Sequence, residues 1–240
     1  MKNKLKMIGF AGVAIIIFII FQYKLLDTGT WESWNLPLSG KIIYLDPGHG
    51  GPDGGAESGS GSDEVLEKDI ALNVSKMLRD YFQEQGALVI MTRDDDSDLA
   101  PEGTRGYSRR KTQDLKKRLE MINSSNADLY LSIHLNAIPS SRWSGAQTFY
   151  NPKFKENKEV AEKIQSELIR NLENTKREAK GIQNVYLVKH INKPGALVEI
   201  GFLSNPGEKA NLITEKYQQK VAASIYEGVL KYYDEKTDEE

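Results

Sequence analysis

The chain has 240 residues, with 32 basic and 34 acidic side chains, a formal net charge of −2 and no cysteine. Without a strongly basic face or tail, nucleic acid is excluded as a partner. The lack of cysteine excludes disulfides, thiolate metal sites and a cysteine nucleophile. Beyond the N-terminal stretch about 200 residues remain, enough for one domain with its own core.

Lys2, Lys4 and Lys6 precede the apolar run MIGFAGVAIIIFIIF at residues 7–21. Basic residues before an apolar core mark an export segment. No small-x-small cleavage site follows, so residues 1–26 are expected to remain as a signal-anchor, the alternative being a cleaved signal peptide. The basic end then faces the cytoplasm and the rest lies outside. Residues 27–40 (DTGTWESWNLPLSG) read as a polar linker.

A short strand is expected at 41–46, followed by a Gly/Ser/Asp-rich loop to Asp63. A helix is expected at 64–85, because Leu66, Ile70, Val74, Met77 and Tyr81 fall on one helical face and Gly86 fits its stop. A strand at 87–91, a polar loop at 94–112, a second helix to Ser124 and a strand at 128–134 come next. Then follow a strand at 146–150, a helix at 155–172, strands at 185–188 and 195–200, and a final helix at 206–233. Residues 41–233 form one domain in this reading, and 234–240 a charged, disordered tail. Strands alternating with helices predict an α/β domain with a mostly parallel or mixed twisted sheet and helices on both faces. Near-continuous apolar runs such as IIYL, LYLSI and ALVEI suit strands buried on both sides.

Ligands in such sheets bind beyond the C-terminal ends of the strands. Three polar residues fall there: His49 in GHGGPDGG, His134 at the end of DLYLSIH, and Glu199 in GALVEI. A phosphate cradle does not fit, since there is neither GxGxxG nor GK[ST]. Two imidazoles and one carboxylate are a common zinc ligand set. Residue type and spacing leave the carboxylate open among Glu67, Asp46 and Glu199. Glu67 lies in the first helical turn, where an acid also suits the helix dipole. Asp46 ends the first strand and is equally suited to fixing the turn or orienting His49.

The segments LDPGHGGPDGGA, LEKDIALNV, ADLYLSIHLNA and ALVEIGFLSN, in that order, resemble the zinc-dependent N-acetylmuramoyl-L-alanine amidases of the Amidase_3 family across residues 41–233. The resemblance implies that His49, Glu67 and His134 hold one Zn²⁺ per chain, and that Glu199 is the catalytic acid/base. The implied reaction is hydrolysis of the amide between the lactyl group of muramic acid and L-alanine. KIIYLDPGHGGPDGGA, PEGTRGYSRRK and HLNAIPSSRWSGAQTFYNP narrow the resemblance to germination-specific spore-cortex amidases. That implies a step towards muramic-δ-lactam, with peptidoglycan as substrate, a regulatory protein and a deacetylase as functional partners, and membrane attachment through the N-terminus. The implied location is extracytoplasmic, on the cortex side of the forespore membrane. One departure is ESGSGSDEV, which lengthens the loop between His49 and Glu67.

The basic residues Arg105, Arg109, Arg110 and Lys111 read as a solvated face. Trp143 is a candidate for stacking on sugar or packing a loop, Arg118 for pairing with a buried carboxylate, and His190 for the surface or the cleft. Rival readings are another zinc hydrolase of the wall (a peptidase or deacetylase) and a non-catalytic scaffold. All four implied site positions being filled favours catalysis.

Overall fold

The computed structural model describes residue 18, residues 36–136 and residues 138–239. The expected signal-anchor at 1–26 and most of the linker lie outside these residues, apart from Phe18 of the apolar run. Among the described residues no helix is long and apolar enough to cross a membrane.

The folded unit begins at Pro37. Leu38, expected in the linker, is fully buried, and its N–H donates to Gln85 O at 3.0 Å. β1 (Ile42–Pro47) leads through the glycine-rich loop to a small hairpin, β2 (Glu57–Ser58) and β3 (Val65–Leu66). Pairing of Leu66 with Glu57 delays the first helix, so α1 spans Glu67–Glu84 rather than starting at residue 64. Gly86, at φ 87°, ends it as expected. β4 (Leu88–Met91), α2 (Tyr107–Ser124), β5 (Leu129–Asn136), β6 (Gln147–Tyr150) and α3 (Lys155–Leu172) follow. The chain then forms β7 (Lys180–Gly181), α4 (Tyr186–His190), β8 (Gly195–Phe202), α5 (Pro206–Leu212) and α6 (Glu215–Glu239).

The main sheet runs β4-β1-β5-β8-β6-β7 and is parallel except where β6 meets β8. The mixed sheet of the sequence expectation is thus present. Side chains alternate between its faces. Ile43, Leu45, Leu131 and Ile133 enter a large core with Val74, Leu78, Val160, Ile164, Val221 and Ile225 of α1, α3 and α6. Tyr44 and Tyr130 point the other way, into a smaller core with Ile122 of α2, Leu187 of α4 and the adjoining Ile191. Truncating a fully buried Leu78 to alanine should cost roughly 2–5 kcal/mol.

Two expected elements differ. The apolar run at 185–188 turns helical from Tyr186, because Leu187 and Ile191, one turn apart, both enter the smaller core, and Ile191 N–H donates to Leu187 O at 2.9 Å. Four apolar residues carry no period that distinguishes strand from helix. The final helix is two helices. Asn205 caps α5, accepting from Gly207 and Glu208 N–H ahead of Pro206. The chain breaks at Ile213–Thr214, and α6 then continues to Glu239, through residues expected as a disordered tail.

Candidate metal centre

β1, β5 and β8 end side by side, and the loop after β1 is forced into a tight course. His49 takes φ 60°, unusual for a residue with a side chain. Gly48 N–H donates to Ile133 O at 2.9 Å, which ties the loop to β5. A Cβ on Gly48 would lie 2.4 Å from the His134 ring, so only glycine lets that ring close over the loop. Gly55, at φ 74°, likewise leaves room for the Glu67 carboxylate, which a Cβ would meet at 2.6 Å.

Glu67 opens α1 and is 3% exposed. Its Oε1 lies 2.9 Å from His134 Nδ1 and its Oε2 3.2 Å from His49 Nε2. The two oxygens also accept from Leu135 N–H at 2.9 Å and Ala56 N–H at 2.7 Å. One ligand atom from each of His49, Glu67 and His134 falls within 4.8 Å of the others. The lengthened loop after His49 supplies Ala56 and the β2–β3 hairpin, and so supports Glu67 rather than displacing it.

Electrostatics follow from this contact. Burial works against ionised Glu67, yet the two imidazoles hold its carboxyl well below the usual range. Burial also opposes a charged His49, but Asp53 and Glu67 outweigh it and raise the ring to about 9. A cation must therefore displace a proton from His49 near neutral pH.

Glu199 lies opposite His134 in the β5–β8 register, with Gln147 opposite it on β6. Its Oε2 is shielded from solvent and has no hydrogen-bond partner. Burial pushes the carboxyl up to about 7, with Glu67 adding to the rise and the histidines opposing it. A carboxyl poised there is suited to taking and returning a proton.

Asp46, a candidate ligand from sequence, is fully buried and does not join the His49–Glu67–His134 group. It accepts from Arg118 Nη1 at 2.7 Å, Ser132 Oγ at 2.7 Å and Thr92 Oγ1 at 2.8 Å. Arg118 thus pairs with a buried carboxylate as expected, and also with Asp114 at 2.8 Å. Arg118 donates further to Pro47 O and His49 O. Arg93 donates to Pro47 O at 3.2 Å and Gly48 O at 2.8 Å. Two buried arginines therefore cap the carbonyls of the Pro47–His49 turn. Sequence reading missed Arg93. The available signal was its place just after β4, the strand paired with β1.

Of the basic cluster, Arg105 and Arg109 are exposed, as expected of a solvated face, whereas Arg110 pairs with Asp98 and Lys111 with Asp53. Trp143 is half exposed, with Arg177 5.5 Å from its ring centre and Asn205 donating to its carbonyl at 3.2 Å. His190 is exposed on α4 and does not join the metal-ligand group.

Two imidazoles, one carboxylate and a neighbouring unpartnered acid suit a metal-dependent hydrolase. A family profile described as N-acetylmuramoyl-L-alanine amidase (Amidase_3) matches residues 43–231, and the chain belongs to that family of enzymes. A germination-specific N-acetylmuramoyl-L-alanine amidase of Bacillus subtilis (strain 168) is 60% identical over 238 residues, 99% of each chain. The CwlD amidase of Clostridioides difficile, solved in complex with the GerS lipoprotein, is 42% identical with a TM-score of 0.76, covering 81% of this chain and 98% of that one. An N-acetylmuramoyl-L-alanine amidase of Clostridium difficile 630 is 34% identical with a TM-score of 0.71, covering 82% and 98%.

Proposed function

We propose that this amidase uses one Zn²⁺, held by His49, Glu67 and His134, to cleave the lactyl–L-alanine amide of peptidoglycan in the spore cortex. The observation that carries the reading is the convergence of these three side chains beside the unpartnered Glu199 carboxyl. The donor set fits: two neutral imidazoles and one carboxylate leave a Zn²⁺ site net positive with a position free for substrate. When bound, the ion supplies Lewis-acid chemistry, acidifying water and polarising the scissile carbonyl. Glu199 takes the proton of the attacking water and hands it to the amino group of L-alanine as the C–N bond breaks. Arg93 and Arg118 keep the His49 turn in place during turnover.

The cortex role rests on the 60% identity to the germination-specific relative. In this proposal the enzyme works outside the cytoplasm, with residues 1–26 as its membrane segment and residues 41–233 as its catalytic part. Removal of the stem peptide would expose a muramic acid that a deacetylase then converts towards the δ-lactam. The C. difficile complex with a lipoprotein motivates a regulatory protein partner for this chain as well.

The test is mass spectrometry of peptidoglycan fragments after treatment with the full chain, with and without a zinc chelator. Chelator-sensitive release of peptides beginning at L-alanine, with intact glycan, is expected. Cleavage within the peptide, or loss of acetate, would replace the reading with another zinc hydrolase.

A further inference from the structure

The second nitrogen of His49 meets a residue outside the ligand set. Asp53 Oδ2 lies 2.9 Å from His49 Nδ1, on the opposite edge of the ring from Glu67, which faces Nε2; this is an ion-pair distance at an angle that leaves the buried Nδ1 without a hydrogen bond. The HGGPD loop makes this contact a local one. Gly50 N–H donates to Asp53 O at 3.0 Å and Asp53 N–H to Gly50 O at 3.1 Å. That paired closure folds the side chain four residues on back over the imidazole.

Asp53 is itself held. It is 7% exposed. Its Oδ1 accepts from the Tyr107 hydroxyl at 2.8 Å and from Gly55 N–H at 3.2 Å. Lys111 Nζ lies 3.0 Å from Oδ2. Tyr107 and Lys111 are four residues apart on α2, so one helical face grips the carboxylate. A carboxylate fixed beside one ring nitrogen favours the tautomer protonated there and leaves the other nitrogen's lone pair for a cation.

We propose that Asp53 is a positioning residue of the metal centre: its negative charge beside Nδ1 keeps the ring proton of His49 on that nitrogen, so that Nε2 is the nitrogen given to Zn²⁺, and Tyr107 and Lys111 hold the carboxylate there. The inference rests on His49 being a metal ligand. It gives α2, whose Arg118 already holds the His49 backbone, a second route to metal affinity through the side chain of that ligand.

The experiment is competition of the full chain against a chromophoric chelator for Zn²⁺, comparing wild type, Asp53→Ala, Asp53→Asn, Lys111→Met and Tyr107→Phe, with His49→Ala as control. Asp53→Ala should weaken zinc binding about 10–100-fold while still reaching one ion per chain at saturation. Asp53→Asn keeps an acceptor and should fall between Asp53→Ala and wild type. Lys111→Met and Tyr107→Phe should show smaller losses. In the zinc-loaded wild type, NMR should find an exchange-protected proton on His49 Nδ1, and Asp53→Ala should lose it. Unchanged affinity in Asp53→Ala, or zinc on Nδ1 of His49, would overturn the proposal. Should Asp53→Ala not fold, unchanged affinity in both α2 variants would overturn it instead. Wild-type affinity in His49→Ala would remove the metal-centre reading itself, and the role of Asp53 with it.

Discussion

Asp46 and Glu199 stand at the C-terminal ends of β1 and β8, on either side of β5, and each carries a shielded carboxyl. Their surroundings are opposite. Asp46 has a guanidinium and two hydroxyls within 2.8 Å. Burial favours its protonated form, but Arg118 and Ser132 outweigh this and hold it below the usual carboxylate range. Glu199 Oε2 has no such partner, and burial lifts its carboxyl to about 7. Desolvation of a carboxylate is met at one strand end by compensation and at the other by a retained proton. The compensated acid holds the backbone around it; the uncompensated one is free to exchange its proton.

The largest effect tests that division directly. Glu199→Gln should lower turnover by about 10²–10⁴-fold, the usual contribution of a positioned acid/base, with zinc stoichiometry unchanged by metal analysis. Retained turnover would assign the proton transfer elsewhere. Arg118→Leu attacks the other acid. It leaves Asp46 buried and ionised without its main partner, an expected loss of about 3–5 kcal/mol in denaturant unfolding. The turn loses two carbonyl partners as well, so activity per folded molecule should also fall.

A pH series sharpens the contrast by sign. Asp46 is depressed when folded, so its contribution is present above the ordinary carboxylate pKa and is lost on acidification. Glu199 is raised, so its contribution is present below 4.5 and is lost as pH rises through about 7. His49, raised to about 9, loses its contribution later, from 6.5 upwards. In protein stripped of metal, the difference in melting temperature between wild type and Glu199→Gln should therefore change between pH 4.5 and 7. A difference that is flat across that window would place the Glu199 pKa at its ordinary value.

Which acid plays which part was only partly legible in the sequence. His49, His134 and Glu199 stand out because a parallel sheet gathers its strand ends on one rim. Glu67 needed the family motif, because an acid in a first helical turn looks the same whether it binds metal or favours the helix dipole. Asp46 could not be assigned at all from sequence: its role depends on Arg118, 72 residues away. Arg93 was invisible for the related reason that its partners are backbone carbonyls, which every residue offers. The 185–188 run was misread because a short apolar segment records burial and not period. In each case the missing information was a long-range contact.

The smallest effect separates fixing the turn from binding the metal. Ser132 Oγ donates to Asp46 Oδ2 at 2.7 Å, and Ser132 is fully buried on β5, two residues before His134. Ser132→Ala removes one hydrogen bond to a charged acceptor and leaves Arg118 and Thr92 on the other oxygen. A loss of about 1.5–3 kcal/mol in unfolding free energy is expected. Zinc affinity should not change, because Asp46 reaches His49 only through the turn that both arginines still cap. A zinc affinity that fell with this substitution would mean that the Asp46 network sets the height of the His49 turn, and the two acids would then be coupled rather than divided in their work.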